Sequence, residues 1–206
     1  MMARHFLTIG NKAQIQEALN GLCLKGNASP RIAMVGRSNV GKSSLINALL
    51  GTRLAQTSAA PGKTRLIHFY EWPKCGKIVT DLPGYGYAKA GWEDREGWAK
   101  LIGAYIDHDQ GLERALVLLD ARHGPTEKDE EAIRYLVSEE VPVTFVFTKA
   151  DTLKNQSTRA KRLKEATAAL KALGLSEIET FWVSAKERDV GLSKLERWLR
   201  DGERKQ

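Results

Sequence analysis

The chain contains few cysteines and no long apolar run. Cys23 and Cys75 are the only cysteines among 206 residues, which argues against a disulfide framework or a structural zinc site and favours a reducing compartment. The residues after Met1 supply too few consecutive apolar side chains for a secretory signal, and no later apolar run reaches the length that spans a bilayer. We therefore expect a soluble, cytoplasmic protein that contacts no membrane.

Positive charge is in excess. The chain has 32 Lys and Arg residues against 25 Asp and Glu residues, giving a formal net charge of +7 at pH 7. This balance favours polyanionic partners, either nucleic acid or an acidic membrane surface, although it also simply promotes solubility. Basic residues cluster between Lys154 and Lys171 and between Arg53 and Lys77. These clusters could follow an RNA backbone, and a solvated helix face is the plainer interpretation of the first.

Short β-rich runs alternate with helix-like runs after residue 30. Apolar runs such as 115–120 and 143–147 are typical of strands buried on both faces. The pattern predicts an α/β fold with three layers, in which helices flank a mostly parallel sheet. We expect residues 1–30 to form an N-terminal extension that packs on the domain, residues 31–200 to form the domain, and residues 201–206 to form a polar tail.

Two helices have buried faces that can be predicted from apolar spacing. For the helix after the 115–120 strand, the expected face consists of Ile133, Leu136 and Val137. For the helix after the 143–147 strand, it consists of Leu163, Ala166, Leu170 and Leu173.

The most informative stretch is Gly36–Ser43, which reads G-x-x-x-x-G-K-S. An apolar run precedes it and the helix-like run 44–50 follows, which is the strand–turn–helix context of a phosphate-binding loop. Glycines let backbone N–H groups converge on phosphate oxygens, and a helix N-terminus adds partial positive charge. We expect Lys42 to contact the β- and γ-phosphates and the Ser43 hydroxyl to bind Mg²⁺. A chance glycine turn is the alternative.

Two later stretches, each at the end of a strand, indicate which nucleotide binds. Residues 81–84 read D-x-x-G: the Asp81 carboxylate can hold Mg²⁺, and the Gly84 N–H can touch the γ-phosphate. Residues 148–151 read T-K-x-D. Asp151 can accept hydrogen bonds from guanine N1–H and N2–H₂, which adenine does not offer, so an adenine ligand would leave a buried carboxylate unpaired. The Lys149 stem can pack on the base.

Two weaker signals complete the pattern. Residues 184–186 read S-A-K after the last strand, where the Ala185 N–H could donate to guanine O6. Residues 61–64 read P-G-K-T in a loop, where Thr64 could complete the Mg²⁺ ligands. Each motif is common by chance, but their order at successive strand ends predicts a site for GTP or GDP.

Together these motifs resemble the translation-factor-related branch of P-loop GTPases. Finer features resemble the EngB (YihA/YsxC) family of bacterial ribosome-assembly GTPases, most specifically the sequence Gly-Tyr-Gly-Tyr at 84–87. The resemblance implies a six-stranded sheet with one antiparallel strand. It also implies a monomeric GTP hydrolase that acts as a switch in assembly of the large ribosomal subunit and binds rRNA in the precursor particle when GTP is bound. One departure from the wider GTPase pattern is Thr148, where many members carry Asn.

The resemblance also implies the roles of the site residues. The nucleotide would contact Gly36, Arg37, Ser38, Asn39, Val40, Gly41, Lys42, Ser43, Ser44, Thr64, Asp81, Gly84, Thr148, Lys149, Asp151, Ser184, Ala185 and Lys186. Magnesium would be held by Ser43, Thr64 and Asp81. The catalytic contributors would be Lys42, Thr64, Gly84 and Asn39.

Position 85 carries Tyr where Ras-like enzymes carry the Gln that orients water. We therefore expect slow unaided hydrolysis. Potassium-stimulated GTPases carry an Asn at the position of Asn39, so K⁺ is a possible further cofactor; alternatively Asn39 only shapes the loop. Residues 52–63 and 84–91 are rich in Gly, Ala and Ser and are expected to be the segments that respond to the γ-phosphate.

Aromatic residues in and after the D-x-x-G segment, namely Tyr85, Tyr87, Trp92 and Trp98, could stack on RNA or dock on a protein, although the two tryptophans could equally be core. Three alternatives remain open at this point. One is a P-loop kinase, against which T-K-x-D argues. A second is a GTP-dependent binding module in cell division or septation with little turnover. A third places the basic surface on membrane lipid instead of RNA.

Overall fold

The computed structural model describes residues 2–11, 13–24, 29–56, 66–86, 92–175 and 177–202. The strands within these ranges are β1 (Arg4–Ile9), β2 (Arg31–Gly36), β3 (Ile67–Trp72), β4 (Lys77–Asp81), β5 (Leu112–Asp120), β6 (Val143–Thr148) and β7 (Thr180–Trp182). The helices are α1 (Ala13–Leu24), α2 (Lys42–Leu50), α3 (Trp92–His108), α4 (Glu127–Ser138), α5 (Gln156–Ala172) and α6 (Leu192–Asp201), with a short 3₁₀ turn at Ala150–Thr152.

The strands form one sheet in the order β1-β3-β4-β2-β5-β6-β7. Strand β3 pairs antiparallel with both β4 and β1, and the other neighbours pair parallel. The predicted α/β class and the single antiparallel strand are confirmed. The implied count of six strands is wrong, because β1 joins the edge beside β3 as a seventh strand, with Thr8 opposite His68.

Helices cover both faces of the sheet. On one face the apolar core includes side chains of α1, α3, α4 and α5, and on the other face it includes side chains of α2 and α6. Strands β2, β5 and β6 are buried on both faces, as their apolar runs predicted. No helix in the described ranges is both long and apolar enough to cross a membrane.

Two residues expected in the core are exposed instead. Leu163 on α5 is 49% exposed and Val137 on α4 is 42% exposed. Each lies at the margin of its apolar stripe, since α5 contacts the sheet through Ala166 and Leu170, and α4 buries Ile133. Apolar spacing identified both helices but overestimated the width of the face that each one buries.

Parallel strands bring their carboxyl ends to one edge of the sheet, which is where ligands bind in such folds. Strands β4, β2, β5 and β6 are consecutive in the sheet, so Asp81, Gly36, Asp120 and Thr148 end neighbouring strands. The opposite edge is stabilised separately by a buried ion pair between Arg31 and Asp109. The fold therefore brings the G-x-x-x-x-G-K-S, D-x-x-G and T-K-x-D motifs to a single edge.

Candidate guanine-nucleotide site

The loop between β2 and α2 has the backbone shape of an anion-binding turn. Asn39 and Gly41 adopt positive φ angles of 64° and 107°, on either side of Val40. Turns of alternating hand direct successive N–H groups into one concavity. A Cβ on Gly36 would lie 2.8 Å from Val40 Cγ1 and 3.1 Å from Leu118 Cβ, so that position requires glycine. The loop has the geometry that phosphate oxygens need.

Lys42 begins α2, and its ammonium group forms an ion pair with the Asp81 carboxylate at the end of β4. The two side chains are 14% and 10% exposed, so water screens the pair only weakly. Ser43 lies half-buried beside Lys42, and Ser44 is exposed. The lysine predicted to contact phosphate and the carboxylate predicted to hold Mg²⁺ are thus in direct contact.

The D-x-x-G segment lies against the phosphate loop. The Ser38 N–H donates to the Tyr85 carbonyl at 3.0 Å, and Arg37 and Tyr85 form a parallel bridge. A Cβ on Gly84 would come within 3.2 Å of the Ser38 nitrogen and 3.3 Å of the Gly36 oxygen. A side chain at position 84 would therefore displace the loop. Gly84, the predicted γ-phosphate contact, sits at the rim of the predicted phosphate loop.

The Tyr85 side chain points away from this loop and into the core. It is 8% exposed, packs edge-on against Trp98 with ring centroids 5.4 Å apart, and donates its hydroxyl to Asp129 Oδ1 at 2.9 Å. Asp129, on α4, is fully buried and also accepts hydrogen bonds from Thr126. Burial and the charge of Asp129 raise the pKa of Tyr85 well above its usual range, so its hydroxyl remains a donor.

This orientation corrects the expectation that Tyr85 stacks on RNA or docks on a protein. Trp98 is also partly buried, with its indole N–H donating to the Pro83 carbonyl at 2.8 Å. Tyr87 and the side chain of Trp92 lie outside the described part of the chain. The Arg37 side chain also turns toward α4, with its Nε 3.9 Å from a carboxylate oxygen of Asp129.

Thr148 ends β6 beside the phosphate loop. Its hydroxyl lies 2.6 Å from the Val40 carbonyl and 3.2 Å from the Leu119 carbonyl. A hydroxyl donates to one acceptor at a time, and Val40 is the nearer. The residue that departs from the wider GTPase pattern therefore makes a direct contact with the phosphate loop.

Lys149 joins the same loop to β5. Its Nζ donates to the Asn39 carbonyl at 2.8 Å and to Asp120 Oδ2 at 2.9 Å. Burial alone would raise the pKa of Asp120, but hydrogen bonds from Arg122 and Lys149 lower that pKa below its usual range. The carboxylate stays ionised and holds Lys149 in place. Sequence analysis missed Asp120, although its position at the end of a buried strand between two motif-bearing strands was a usable signal.

Asp151 is half-buried in the 3₁₀ turn that follows. The Ala150 N–H donates to the Val183 carbonyl at 3.1 Å, which brings this turn beside the S-A-K segment after β7. The buried Ser184 hydroxyl accepts hydrogen bonds from the Lys186 and Glu187 N–H groups, each at 3.0 Å. These bonds fix the segment as a tight turn, in which Ala185 is half-buried and Lys186 exposed.

The residues present fit a magnesium nucleotide. The Ser43 hydroxyl and the Asp81 carboxylate are oxygen ligands of the kind that Mg²⁺ prefers, and the cradle exists only because Gly36 has no side chain. Thr64 lies outside the described residues. So do parts of both predicted responsive segments, at 57–63 and 87–91.

Comparisons with known proteins bear on the identity of this site. A profile of the family described as "50S ribosome-binding GTPase" matches residues 31–149. The probable GTP-binding protein EngB of Streptococcus pyogenes serotype M5 (strain Manfredo) is 36% identical over 193 residues, which cover 93% of this chain and 94% of that protein. The chain belongs to the EngB family of GTP-binding proteins. It is accordingly a GTPase of the translation-factor-related class.

Other EngB proteins and solved structures are similar as well. The EngB protein of Maridesulfovibrio salexigens is 40% identical over 172 residues, covering 83% of this chain and 81% of that protein. A crystal structure of a probable GTP-binding protein EngB matches with a TM-score of 0.60 at 24% identity, over 84% of this chain and 100% of that one. A structure of Era in complex with MgGDPNP and nucleotides 1506–1542 of 16S ribosomal RNA matches with a TM-score of 0.63 at 24% identity, over 84% of this chain and 56% of that one. At these identities the two structures show a shared fold.

The buried contact between Tyr85 and Asp129 leads to a stability prediction. Tyr85→Phe removes a hydrogen bond to a charged acceptor, and we expect the free energy of unfolding in urea to fall by about 1.5–3 kcal/mol. GTP affinity should change little, because Tyr85 contacts the phosphate loop through its main chain.

Tyr135→Phe is the matched control, since the Tyr135 hydroxyl donates to an uncharged acceptor, the Ala99 carbonyl, at 3.2 Å. Its cost should be smaller, about 0.5–1.5 kcal/mol. If Tyr85→Phe is no more destabilising than Tyr135→Phe, the hydroxyl is not a significant anchor for this segment.

Proposed function

We propose that this GTPase is a switch in assembly of the large ribosomal subunit, which binds rRNA in the precursor particle while GTP is bound. The observation that carries the proposal is the meeting of the phosphate loop, the D-x-x-G segment and the T-K-x-D turn at one edge of a basic protein. Membership of a family described as "50S ribosome-binding GTPase" supports the choice of particle. We further propose that the protein acts as a monomer in the cytoplasm.

In this proposal different residues of the site bind different parts of the nucleotide. The loop from Gly36 to Ser44 surrounds the phosphates, with Lys42 at the β- and γ-phosphates. Asp151 accepts from the guanine ring while Lys149 packs on it, and the Ala185 N–H donates to its carbonyl. The 3₁₀ turn Ala150–Thr152 is then the base-binding turn. Thr148 would fix the position of the phosphate loop relative to this turn, and its 2.6 Å contact with the Val40 carbonyl supports that role.

Ser43, Thr64 and Asp81 would hold Mg²⁺, whose charge neutralises that of the phosphates. Lys42 and Asp81 form an ion pair with each other. When the nucleotide binds, Lys42 would exchange this contact for a phosphate and Asp81 would exchange it for Mg²⁺. The exchange matters because it couples nucleotide binding to the end of β4, from which the D-x-x-G segment departs. Gly84 lies at the rim of the phosphate loop, where its N–H would contact the γ-phosphate when GTP is bound.

Hydrolysis by the chain alone should be slow. The Tyr85 side chain is buried against Trp98 and Asp129, so it does not orient the attacking water. Another group must then stabilise the negative charge that develops on the phosphates during hydrolysis. We propose that Asn39 helps to bind K⁺ beside the phosphates for this purpose. Asn39 is exposed and adopts a positive φ angle of 64°, three residues before α2 begins.

The net charge of the chain and the analogy with Era both support the proposal that it binds rRNA. The net charge of +7 favours a polyanion. A structure of Era, 56% of which matches this chain, contains MgGDPNP and nucleotides 1506–1542 of 16S ribosomal RNA, so a protein that shares this fold over part of its length combines the two ligands.

Sedimentation with ribosomal particles tests the proposed function. We expect the protein to travel with large-subunit precursors in a sucrose gradient when a non-hydrolysable GTP analogue is present, and to remain largely unbound with GDP or without nucleotide. Small-subunit particles serve as the control for binding by charge alone. Equal binding in all three nucleotide states, or equal binding to both kinds of particle, would contradict a GTP-dependent role in the large subunit.

Potassium dependence tests the source of charge stabilisation. We expect K⁺ to stimulate GTP hydrolysis relative to Na⁺ at equal ionic strength, and Asn39→Ala to remove the difference. Ribosomes are omitted and the ionic strength is matched, because salt also screens the basic surface. Identical rates in the two salts would leave the ribosomal particle as the source of the catalytic charge.

A further inference from the structure

Helix α5 is mostly exposed. Of its 17 residues only Ala166 and Leu170 are buried, and even Leu163, the apolar residue predicted to join them, is 49% exposed. Most of the surface of this helix therefore faces solvent in the isolated protein.

The side of α5 opposite Ala166 carries three exposed lysines, Lys161, Lys164 and Lys171. In an α-helix these positions lie within about 80° of one another around the axis, and the first and last are about 15 Å apart along it. Lys164 and Lys171 have no ion-pair partner among the described residues, and the Lys161 side chain is 74% exposed. Together the three form a row of positive charge, the α5 lysine row.

The α5 lysine row is hardly neutralised within the helix. Glu165 is the single acidic residue of α5, and Arg162 engages it at 2.8 Å while Lys161 lies 4.0 Å away. Lys161 and Lys164 are three residues apart, where like charges repel and destabilise a helix. The first turn of α5 has no acidic residue, whereas that of α4 has three. A polyanion on this face would relieve the repulsion.

The surroundings of the row favour RNA over a membrane. Ser157, Ala160 and Ala168 share this face and are exposed. A helix that binds a bilayer needs several large apolar side chains beside its basic ones, and α5 exposes only one, Leu163, at the margin of this face. Small side chains instead let a phosphate backbone approach the lysines, and a row of about 15 Å can contact several successive phosphates.

We propose that the α5 lysine row binds the phosphate backbone of ribosomal RNA. This proposal rests on the proposed function and names the surface that serves it. The contact should be similar with GTP and GDP, because the two nucleotides share the base and α5 is attached to the turn proposed to bind it: Arg159 Nε donates to the Leu153 carbonyl at 2.6 Å. The row would supply constant affinity, and the response to GTP would come from another part of the surface.

Replacement of the three lysines tests the proposal. With the GTP analogue present, Lys161→Gln/Lys164→Gln/Lys171→Gln should weaken binding to large-subunit precursors by about tenfold or more at physiological salt. It should also reduce the slope of log K against log salt by about three. Affinity for GTP should be unchanged, which verifies folding. The matched control is Lys194→Gln/Arg197→Gln/Arg200→Gln, which removes the same charge from exposed positions on α6.

The outcomes separate this proposal from the proposed function. Loss with the α5 variant but not with the α6 variant supports the row. Equal loss with both variants shows an effect of net charge alone and overturns it. If wild type binds the particle and the α5 variant binds equally well, the row is wrong and the proposed function stands. If wild type binds neither the particle nor purified 23S rRNA, both fail. Binding of wild type through the row to phosphatidylglycerol vesicles instead of rRNA also overturns the proposal.

Discussion

The Lys149 ammonium group joins the two halves of the candidate nucleotide site. It donates hydrogen bonds to the Asn39 carbonyl in the phosphate loop and to Asp120 at the end of β5, while the neighbouring Thr148 holds the Val40 carbonyl. Because the same short segment leads into the base-binding turn, the phosphate loop and that turn form one connected unit. A ligand that spans both, as a nucleoside triphosphate does, meets two surfaces already fixed relative to each other, so less conformational freedom is lost on binding.

The segment after β4 is held in a different way. Its main chain touches the phosphate loop through Tyr85 and Gly84, but its tyrosine side chain is anchored to α4 through Asp129. A buried hydrogen bond to a carboxylate is costly to break. The side chain at position 85 therefore anchors the segment to α4 and does not supply an amide that could orient water. The main chain of Tyr85 thus keeps the D-x-x-G segment against the phosphate loop while its side chain is committed to the core.

Local motifs and the rule for parallel sheets were enough to predict the fold class and the edge at which the site residues meet. Contacts between distant residues were not predictable in the same way. Tyr85 and Asp129 are 44 positions apart, and a tyrosine between two glycines gives no indication that its ring is buried. Residues 1–30 were expected to pack on the domain, but their sequence did not indicate that β1 would pair with β3 as a seventh strand. Asp120 was overlooked because a carboxylate at the end of an apolar strand carries no motif of its own. Its place between two motif-bearing strands was the only signal, and its role depends on Lys149 and Arg122 reaching it.

Base specificity at Asp151 gives the most direct test of the site. The preference is measured by calorimetric titration of wild type and Asp151→Asn with the magnesium forms of GTP and xanthosine triphosphate. Lys42→Ala is included as a variant that should weaken the binding of both nucleotides. In the proposed site the Asp151 carboxylate accepts from the donors of guanine and an amide would reverse that pairing, so the preference between the two nucleotides should shift by roughly 10²-fold or more. Wild type should prefer GTP and Asp151→Asn should prefer xanthosine triphosphate. If Asp151→Asn still prefers GTP, the base is recognised elsewhere and the assignment of this edge to guanine is wrong.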